Sequence, residues 1–314
     1  MDNTNHSNTN SFFEEDWWLD IVANGEWERI ELRDKNNHIF ASFPIVKERK
    51  IGFKYLTVPK HTQSLGIYIE DTGAKLSKKL EREKKIINDI IKSLPKGYNY
   101  DFRLDSNNQY IMPFIWNGFN VSPCFSYRID TAKGESDIWK GLKDNIKTDI
   151  KKAMRTVNIV DDYSIDILID LEKKTFDRQN RSYKQDLSFY HQIDKYLSSQ
   201  GRKNLLCAVD NNGNVHSAAY FVFDRERCYY LLGGGDPDFR NSGAASLLIW
   251  EGIKEATRKG VLFDFEGSMI EGIERFFRGF GAHPSVYYRV RKTNALLATA
   301  EYYKPKIKKI LHYV

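Results

Sequence analysis

The stretch DPDFRNSGAASLLIWEGIKEATRKG, residues 236–260, follows a glycine-rich strand end, LLGGG at 231–235, and leads into a helix with apolar periodicity. Residues 243–245 give the first turn of this helix small side chains, and Arg240 adds a cation just upstream. The unpaired N–H groups of a helix N-terminus favour anions, and small side chains let a ligand come close to them. The stretch therefore indicates a pyrophosphate-binding helix start. An ordinary helix start with Ser242 as N-cap explains the same residues, and both readings stay open at this point.

Composition excludes several classes of protein. The chain has 314 residues, of which 41% are hydrophobic and 14% aromatic, enough to build one large core or two ordinary ones. No run of about 18 apolar residues occurs, so we expect no transmembrane anchor. The polar start of the chain lacks the features of a secretory signal. The cysteines Cys124, Cys207 and Cys228 share no metal-like spacing, so we expect no metal site and a cytoplasmic protein with reduced thiols.

The formal net charge of +6 is compatible with a polyanionic partner. Nucleic acid, an acidic carrier protein, a phosphorylated cofactor and an anionic membrane face all fit this charge. A helix predicted at 137–154 carries a ridge of basic residues, namely Lys140, Lys143, Lys147, Lys151 and Arg155. This ridge is either a solvated surface or a docking site for RNA phosphates or an acidic carrier.

The order of predicted elements indicates a mixed α/β (α+β) fold. The first half alternates short strands and helices, and the second half reads strand, two helices, three strands, helix, strand, helix, strand. We place a domain boundary near the basic helix, which gives domains at 1–135 and 136–314. The basic tail at 302–314 is predicted to be a packed terminal helix.

The loop RNSGAA at 240–245 resembles the cofactor loop of the GNAT acyltransferase superfamily. In that superfamily Gln/Arg-x-x-Gly-x-Gly/Ala lies between the fourth strand and the next helix, and Arg240, Gly243 and Ala245 match it. The order of elements in the second half also follows that fold. The resemblance implies that the backbone of the loop binds the pyrophosphate of coenzyme A, while the fourth and fifth strands splay apart to admit the pantetheine arm.

The segment FDFEGSMIEGIERFFRGFGAHPSVYYRV, residues 263–290, narrows the resemblance to the FemAB-like branch, which includes the peptidoglycan-bridge aminoacyltransferases. That branch has a helix ending in Phe-Lys-x-x-Phe-Gly. The chain keeps Phe276, Phe280 and Gly281, but Phe277 takes the lysine position and Arg278 follows it. The resemblance therefore implies no lysine at this position of the site. FemAB-like proteins carry two tandem GNAT-like domains, so we expect an N-terminal degenerate copy and a C-terminal copy with the cofactor loop.

Acyl transfer to an amine requires a polarised thioester carbonyl and a base for the amine. Glycines at the strand end permit a bulge that turns a backbone amide inward. The predicted donor-binding residues are Leu232, Gly233, Gly234, Arg240, Asn241, Ser242, Gly243, Ala244 and Ala245.

Three acids are candidates for the base. Period-two alternation places Asp264 and Glu266 on one face of a strand, with Phe263 and Phe265 on the other face. We prefer Glu266, because it lies nearer the expected opening between the strands. Asp236, at the end of the preceding strand, is the third candidate.

The acceptor site is predicted from weaker signals. FemAB-like folds bind the acceptor between their domains, so the resemblance directs attention to the loop PKHTQSLG at 59–66, with His61 and Gln63. Arg275 and Arg278 have acids four residues before them, which indicates helix-stabilising pairs, and contact with an anionic substrate is the alternative.

These observations predict a cytoplasmic GNAT-type N-acyltransferase. It transfers an acyl group from acyl-CoA, or from an acyl carrier protein, to a small amine of cell-envelope or polysaccharide biosynthesis: an amino sugar, an amino acid or a lipid precursor. The first alternative is a tRNA-dependent aminoacyltransferase, and the second is a GNAT-like scaffold that binds a ligand without catalysis. Neither DNA nor a metal is an expected partner.

Overall fold

The computed structural model of the protein describes residues 9–50, 52–178, 186–267 and 269–294. Contacts divide the chain into two compact units, Met1–Cys124 with Val286–Val314, and Phe125–Ser285. The domain limits 1–135 and 136–314 stay a prediction, because a compact unit need not be an independently folding domain. The terminal helix predicted at 302–314 lies outside the described residues.

The first unit contains three helices and five complete strands within the described residues. In chain order they are α1 (Asp16–Ala23), β1 (Trp27–Arg33), β2 (Ile39–Lys50), β3 (Phe53–Thr57), β4 (Tyr68–Ile69), α2 (Leu76–Ser93), β5 (Asn99–Leu104) and α3 (Met112–Trp116). The next strand, β6 (Asn120–Ile129), begins in the first unit and ends in the second.

The second unit continues the chain from β6. Its elements are α4 (Glu135–Gly141), α5 (Asp144–Ala153), β7 (Val157–Val160), α6 (Asp166–Arg178), α7 (Leu187–Ser199), β8 (Lys203–Asp210), β9 (Val215–Phe223), β10 (Arg227–Gly235), α8 (Ala244–Lys259), β11 (Leu262–Asp264) and α9 (Glu271–Gly279). The last strand, β12 (His283–Lys292), begins in the second unit and ends in the first.

Strand pairing confirms the mixed α/β class. In the first unit the strand order is β1-β2-β3-β5-β12, with β4 also paired to β2, and the β3–β5 pair is parallel while the others are antiparallel. In the second unit the order is β6-β11-β10-β9-β8-β7, and only β10 and β11 among these pairs run parallel.

Helix α8 forms the centre of the second unit's core. Its residues Leu247, Leu248 and Ile249 are buried, and they cluster with Ile146 and Ile150 of α5. Gly252 of α8 faces the sheet, since a Cβ there would lie 2.4 Å from the ring of Phe221 on β9. In the part of the chain that the structure describes, no helix is both long and apolar enough to cross a bilayer.

The predicted helix at 137–154 is wrong in one respect, because it is two helices. Leu142 is extended, with ψ 144°, and it separates α4 from α5. The N–H of Lys143 donates to the carbonyl of Gly279 at 2.9 Å, so a contact from α9 replaces a bond within the helix. Helical spacing over the same segment also predicts an apolar stripe of Trp139, Leu142, Ile146 and Ile150. The last three are buried, and Trp139 is partly buried against the same core.

Glu14 is a fully buried acid of the first unit. Its carboxylate oxygens accept hydrogen bonds from the backbone N–H of Gly66 at 2.8 Å and of Asn10 at 2.7 Å. Burial, and next the charge of Asp105, raise the pKa of Glu14 to about 8, outweighing those hydrogen bonds and the charge of Arg29. Glu14 therefore remains protonated in the folded protein at neutral pH.

This raised pKa makes the stability of the first unit depend on pH. In the unfolded chain Glu14 loses its proton near 4.5, whereas in the folded protein it keeps the proton up to about 8. The folded state then binds more protons between these values, so stability falls as the pH rises from about 4.5 to about 8. The contribution of this one group approaches about 1.4 kcal/mol per pH unit.

We expect Glu14→Gln to remove most of that pH dependence, because glutamine has no proton to lose, at the cost of one of the two backbone hydrogen bonds. Urea unfolding at pH 5, 6, 7 and 8 measures the slope. Glu26→Gln, an exposed acid of the same unit, is the matched control and should retain the slope of the wild type. An unchanged slope in Glu14→Gln would contradict the assignment.

Candidate functional site

A gap opens between β10 and β11 at their carboxyl ends. The two strands pair from Arg227 and Leu262 to Tyr229 and Asp264, and there β11 ends while β10 continues to Gly235. β10 has an antiparallel neighbour on its other side, so the strand direction changes at this point of the sheet. In open α/β sheets ligands bind outside the carboxyl ends of strands at such positions. We call this opening the strand gap.

β10 contains a bulge at the strand gap. Tyr230 pairs with Phe221 and Leu232 pairs with Tyr220, so Leu231 is an extra residue on β10. A bulge takes backbone groups out of the ladder and re-aims them. The sequence predicts a bulge near residues 232–234, and the structure has it at Leu231, shortly before the glycines.

The glycines of β10 make room for neighbouring groups. A Cβ on Gly233 would lie 1.7 Å from the hydroxyl of Tyr230, and one on Gly234 would lie 2.9 Å from Cβ of Leu171 on α6. Burial, and next the charge of Glu172, raise the pKa of Tyr230 to about 12. Tyr230 therefore keeps its proton at neutral pH and lies folded over the end of β10.

The loop from β10 to α8, residues 236–243, is held against α5. Gly243 has φ +81°, and a Cβ there would lie 2.2 Å from the carbonyl oxygen of Asp149 on α5. The ammonium of Lys152, also on α5, donates to the carbonyl of Asn241 at 2.6 Å. The start of α8 therefore has a defined place, and only glycine fits at its N-cap.

The first turn of α8 presents backbone donors. The Ala244 N–H donates to the hydroxyl of Ser242 at 3.2 Å, while helix geometry gives the N–H groups of Ala245 and Ser246 no acceptor within the helix. Ala245 and Arg240 are exposed. The arrangement combines approachable amides, the positive end of a helix and a nearby cation, and it can hold an anion.

Asp236 lies at the end of β10 and is largely buried. Its carboxylate accepts from the Lys174 ammonium at 2.5 Å and from the Asp238 N–H at 3.0 Å. Burial disfavours its charge, but these two hydrogen bonds and the charges of Lys174 and His216 outweigh burial and lower the pKa of Asp236. This carboxylate is a weak base, and it caps the short turn Pro237–Phe239.

Asp264 is fully buried at the end of β11. It accepts hydrogen bonds from the Ser126 hydroxyl at 2.5 Å, from Nε of Arg128 at 2.6 Å and from the Glu266 N–H at 3.0 Å. This carboxylate therefore ties β6, β11 and the residues after β11 together.

The predicted alternation over residues 263–266 is correct for the two phenylalanines and wrong for Glu266, which lies beyond the strand. β11 ends at Asp264, and Phe263 and Phe265 both enter the core, with ring centroids 4.9 Å apart. Glu266 follows the strand with φ 61°, and a Cβ on Gly267 would lie 2.5 Å from the carbonyl oxygen of Phe125. The close approach of these backbones turns the chain, so Glu266 and Asp264 do not share a strand face.

His216, at the start of β9, was not singled out from the sequence. Its ring stacks on Phe239 with centroids 4.0 Å apart, and its Nε2 lies 3.2 Å from Oδ2 of Asp210. Hydrogen bonds from Asn214 are the largest of several causes that lower the pKa of Asp210 to about 2, so this carboxylate is charged. Nδ1 of His216 is buried without a hydrogen-bond partner in the structure. In sequence His216 was only one residue of an apolar strand.

The residues predicted to contact the acceptor lie in both units. Arg278 donates from Nε to Glu274 at 2.8 Å, as the helix spacing predicted, and Tyr127 donates to the same oxygen at 3.0 Å. Arg275 is exposed on α9. In the first unit His61 has φ 58°, and Nε2 of Gln63 is buried with no hydrogen-bond partner. A role for these four residues in substrate binding stays a prediction.

Metal ligation has no support in the described ranges. Among those residues no group of three or more His, Cys, Asp or Glu side chains is arranged to hold an ion.

Comparison with known proteins identifies one domain within the chain. Residues 142–278 match the family model described as Acetyltransferase (GNAT) domain, and no curated protein sequence matches the chain.

Solved structures resemble the whole chain. FemX is 13% identical with a TM-score of 0.68, covering 93% of this chain and 94% of its own. L-PGS from Bacillus licheniformis is 10% identical with a TM-score of 0.53, covering 92% and 90%. A tandem GNAT protein from the clavulanic acid biosynthesis pathway is 9% identical with a TM-score of 0.50, covering 88% and 93%. At these identities the likeness shows a shared fold, and it confirms the predicted tandem GNAT-like fold.

The close approach at Gly243 predicts a large cost for any side chain there. We expect Gly243→Ala to destabilise the protein by about 2–6 kcal/mol, because a left-handed non-glycine residue and the steric overlap with Asp149 each contribute about 1–3 kcal/mol. Urea unfolding measures the change.

Gly272→Ala is the matched control. Nothing lies within 4 Å of a Cβ at Gly272 on α9, and its φ is not positive, so alanine should be neutral or stabilise by up to about 1 kcal/mol. Equal stability of the two variants would contradict the close approach.

Proposed function

We propose that this chain, an acyltransferase that carries a GNAT domain in a FemAB-like fold, transfers an acyl group from acyl-coenzyme A to an amino group of a small cell-envelope precursor. One observation carries the proposal: β10 and β11 separate beyond Tyr229, directly before the bulge of β10 and the α8 N-terminus. A thioester carried on an arm with a pyrophosphate needs both a gap between strands for the arm and an anion-binding helix end for the pyrophosphate.

The donor would be held by backbone groups. The N–H groups of Ala245 and Ser246 would bind the pyrophosphate, with Arg240 adding charge, and the pantetheine arm would occupy the strand gap. The bulge at Leu231 would supply an N–H to the thioester carbonyl, where negative charge develops in the transition state. An acyl carrier protein would present the same phosphopantetheine arm.

The reaction forms a C–N bond and breaks a C–S bond. The amine nitrogen attacks the thioester carbonyl carbon, loses a proton to a base, and the sulfur leaves as a thiolate that takes up a proton. The lowered pKa of Asp236 makes it a weak base, and both oxygens of Asp264 already accept hydrogen bonds, from Ser126 and Arg128. We assign the base to Glu266 because it follows β11 beside the strand gap.

The acceptor would be an amino sugar, an amino acid or a lipid precursor. Arg275 on α9 is exposed, and it is the first cationic residue after Glu266 in the sequence. Its charge suits an acceptor that carries an acidic group as well as an amine. His61 and Gln63 of the first unit remain the further predicted contacts.

An aminoacyl-tRNA is the second candidate donor. The exposed basic residues Lys151, Lys152 and Arg155 at the end of α5 favour it, since Lys152 reaches the backbone of Asn241 in the loop before α8. Such a surface fits RNA phosphates, and binding would then weaken steeply with salt.

The donor site can be tested with a charge that the helix tolerates. We expect Ala245→Asp to leave stability unchanged or raised by about 0.3–1 kcal/mol, because an acid suits the first turn of a helix. The same charge should repel the pyrophosphate and abolish the thermal shift that acetyl-CoA or longer acyl-CoAs cause in the wild type. Binding at about 100 times the dissociation constant stabilises a protein by about 2.7 kcal/mol, an easily measured effect.

Ala245→Asn is the matched control, since it has the same size without the charge and should keep most of the affinity. Charged tRNA serves as a second ligand in the same assay. A thermal shift with charged tRNA and none with acyl-CoA would identify aminoacyl-tRNA as the donor. An acyl-CoA thermal shift in Ala245→Asp equal to that of the wild type would contradict the proposed donor site.

The base can be tested by Glu266→Gln. We expect kcat to fall by about 10²–10⁴ while the acyl-CoA thermal shift is retained, because the change removes the proton acceptor and leaves the donor site intact. Glu271→Gln, an exposed acid of α9, is the control and should keep its turnover. Retained turnover in Glu266→Gln, with loss in Asp236→Asn, would move the base to Asp236.

A further inference from the structure

Helix α3 of the first unit exposes an apolar face. Met112 is 40% exposed, Ile115 44% and Trp116 55%. Residues three and four apart lie on the same side of a helix, so the three side chains form one patch. Pro113 and Phe114 are buried on the opposite side.

This patch is held firmly in place. The ring of Phe114 packs edge-on against Phe119, with centroids 5.6 Å apart. The side-chain amide of Asn117, which ends the helix, donates to Oδ1 of Asn88 on α2 at 2.8 Å. The ammonium of Lys292 donates to the carbonyl of Asn117 at 2.9 Å. The exposed apolar side chains therefore belong to a fixed surface.

Two lysines accompany the patch. Nζ of Lys84 lies 5.0 Å from the ring centroid of Trp116, and Nζ of Lys292 lies 5.2 Å from that of Phe119. Within the part of the chain that the structure describes, neither lysine forms an ion pair with an acid. Their positive charges remain available beside the apolar side chains.

The side chains of this patch favour one kind of binding partner over the others. Lysine is depleted in the cores of protein–protein interfaces, which makes a protein partner a poor match. Single-stranded nucleic acid is bound through rows of stacked aromatic rings, and Met112 and Ile115 offer none. Tryptophan among aliphatic side chains, flanked by lysines, is typical of residues that lie at the surface of a bilayer.

We propose that α3, together with Lys84 and Lys292, binds the surface of an anionic phospholipid bilayer. Met112, Ile115 and Trp116 enter the boundary between headgroups and acyl chains, and the two ammonium groups lie at the level of the lipid phosphates. The formal net charge of +6 complements such a surface. This inference is independent of the proposed reaction, since it rests on residues of the first unit alone.

Vesicle sedimentation of the full chain tests the proposal. We expect the protein to bind vesicles containing phosphatidylglycerol at least tenfold more tightly than vesicles of phosphatidylcholine alone. Raising the salt from about 0.1 M to 1 M shortens the screening length from about 10 Å to 3 Å and should weaken the binding several-fold.

The triple variant Met112→Ser, Ile115→Ser, Trp116→Ser should lose at least tenfold in binding and keep the thermal stability of the wild type, because the buried Pro113 and Phe114 are untouched. Lys84→Gln should lose several-fold. Leu76→Ser is the matched control: Leu76 is 72% exposed on α2, lies outside the patch, and should bind as the wild type does.

Three results would overturn the proposal. The first is no binding to either kind of vesicle, and the second is equal binding by the wild type and the triple variant. The third is a wild-type dimer in light scattering that the triple variant lacks, without vesicle binding, which would assign the patch to contacts between copies of this chain.

Discussion

The start of α8 lies against the backbone of α5 with no room for a side chain between them. The Asp149 carbonyl occupies the place that a Cβ on Gly243 would take, and the Lys152 ammonium holds the preceding turn through Asn241. Because α5 and α8 share the core of the unit, this contact decides where the amides of the first turn lie. The anion-binding end of the helix thus depends on the packing of two helices more than on the loop itself.

Two of the acids near the strand gap, Asp264 and Asp236, are surrounded in a similar way. Asp264 and Asp236 each have a cation and backbone or hydroxyl donors, so burial of their charge is compensated. Each also joins separate elements: Asp264 connects β6 with β11, and Asp236 connects β10 with α6. Both strands that border the gap are therefore tied to a neighbouring element by a charge pair.

Local patterns predicted much of this structure. Three of the predicted features depend on neighbouring residues and are correct in substance: the helix start within RNSGAA, the glycine-rich end of β10 and the apolar stripe that runs into α5. The errors arise where a distant segment intervenes: the N–H of Lys143 bonds to Gly279 and divides one predicted helix, and the approach of Gly267 to Phe125 ends β11 early. The surroundings of His216 could not be predicted from the sequence for the same reason, because Phe239 stacks on it from the turn that follows β10.

The path of β12 has a consequence for synthesis on the ribosome. Its residues from Tyr288 to Lys292 pair with β5, and Arg289 forms an ion pair with Asp101 there, so the first unit contains the last described strand of the chain. The second unit, Phe125–Ser285, is continuous and emerges complete while the first still lacks that strand. The N-terminal residues are therefore made first, yet their sheet can be completed only once β12 has been made, and until then β5 lacks its partner on that edge.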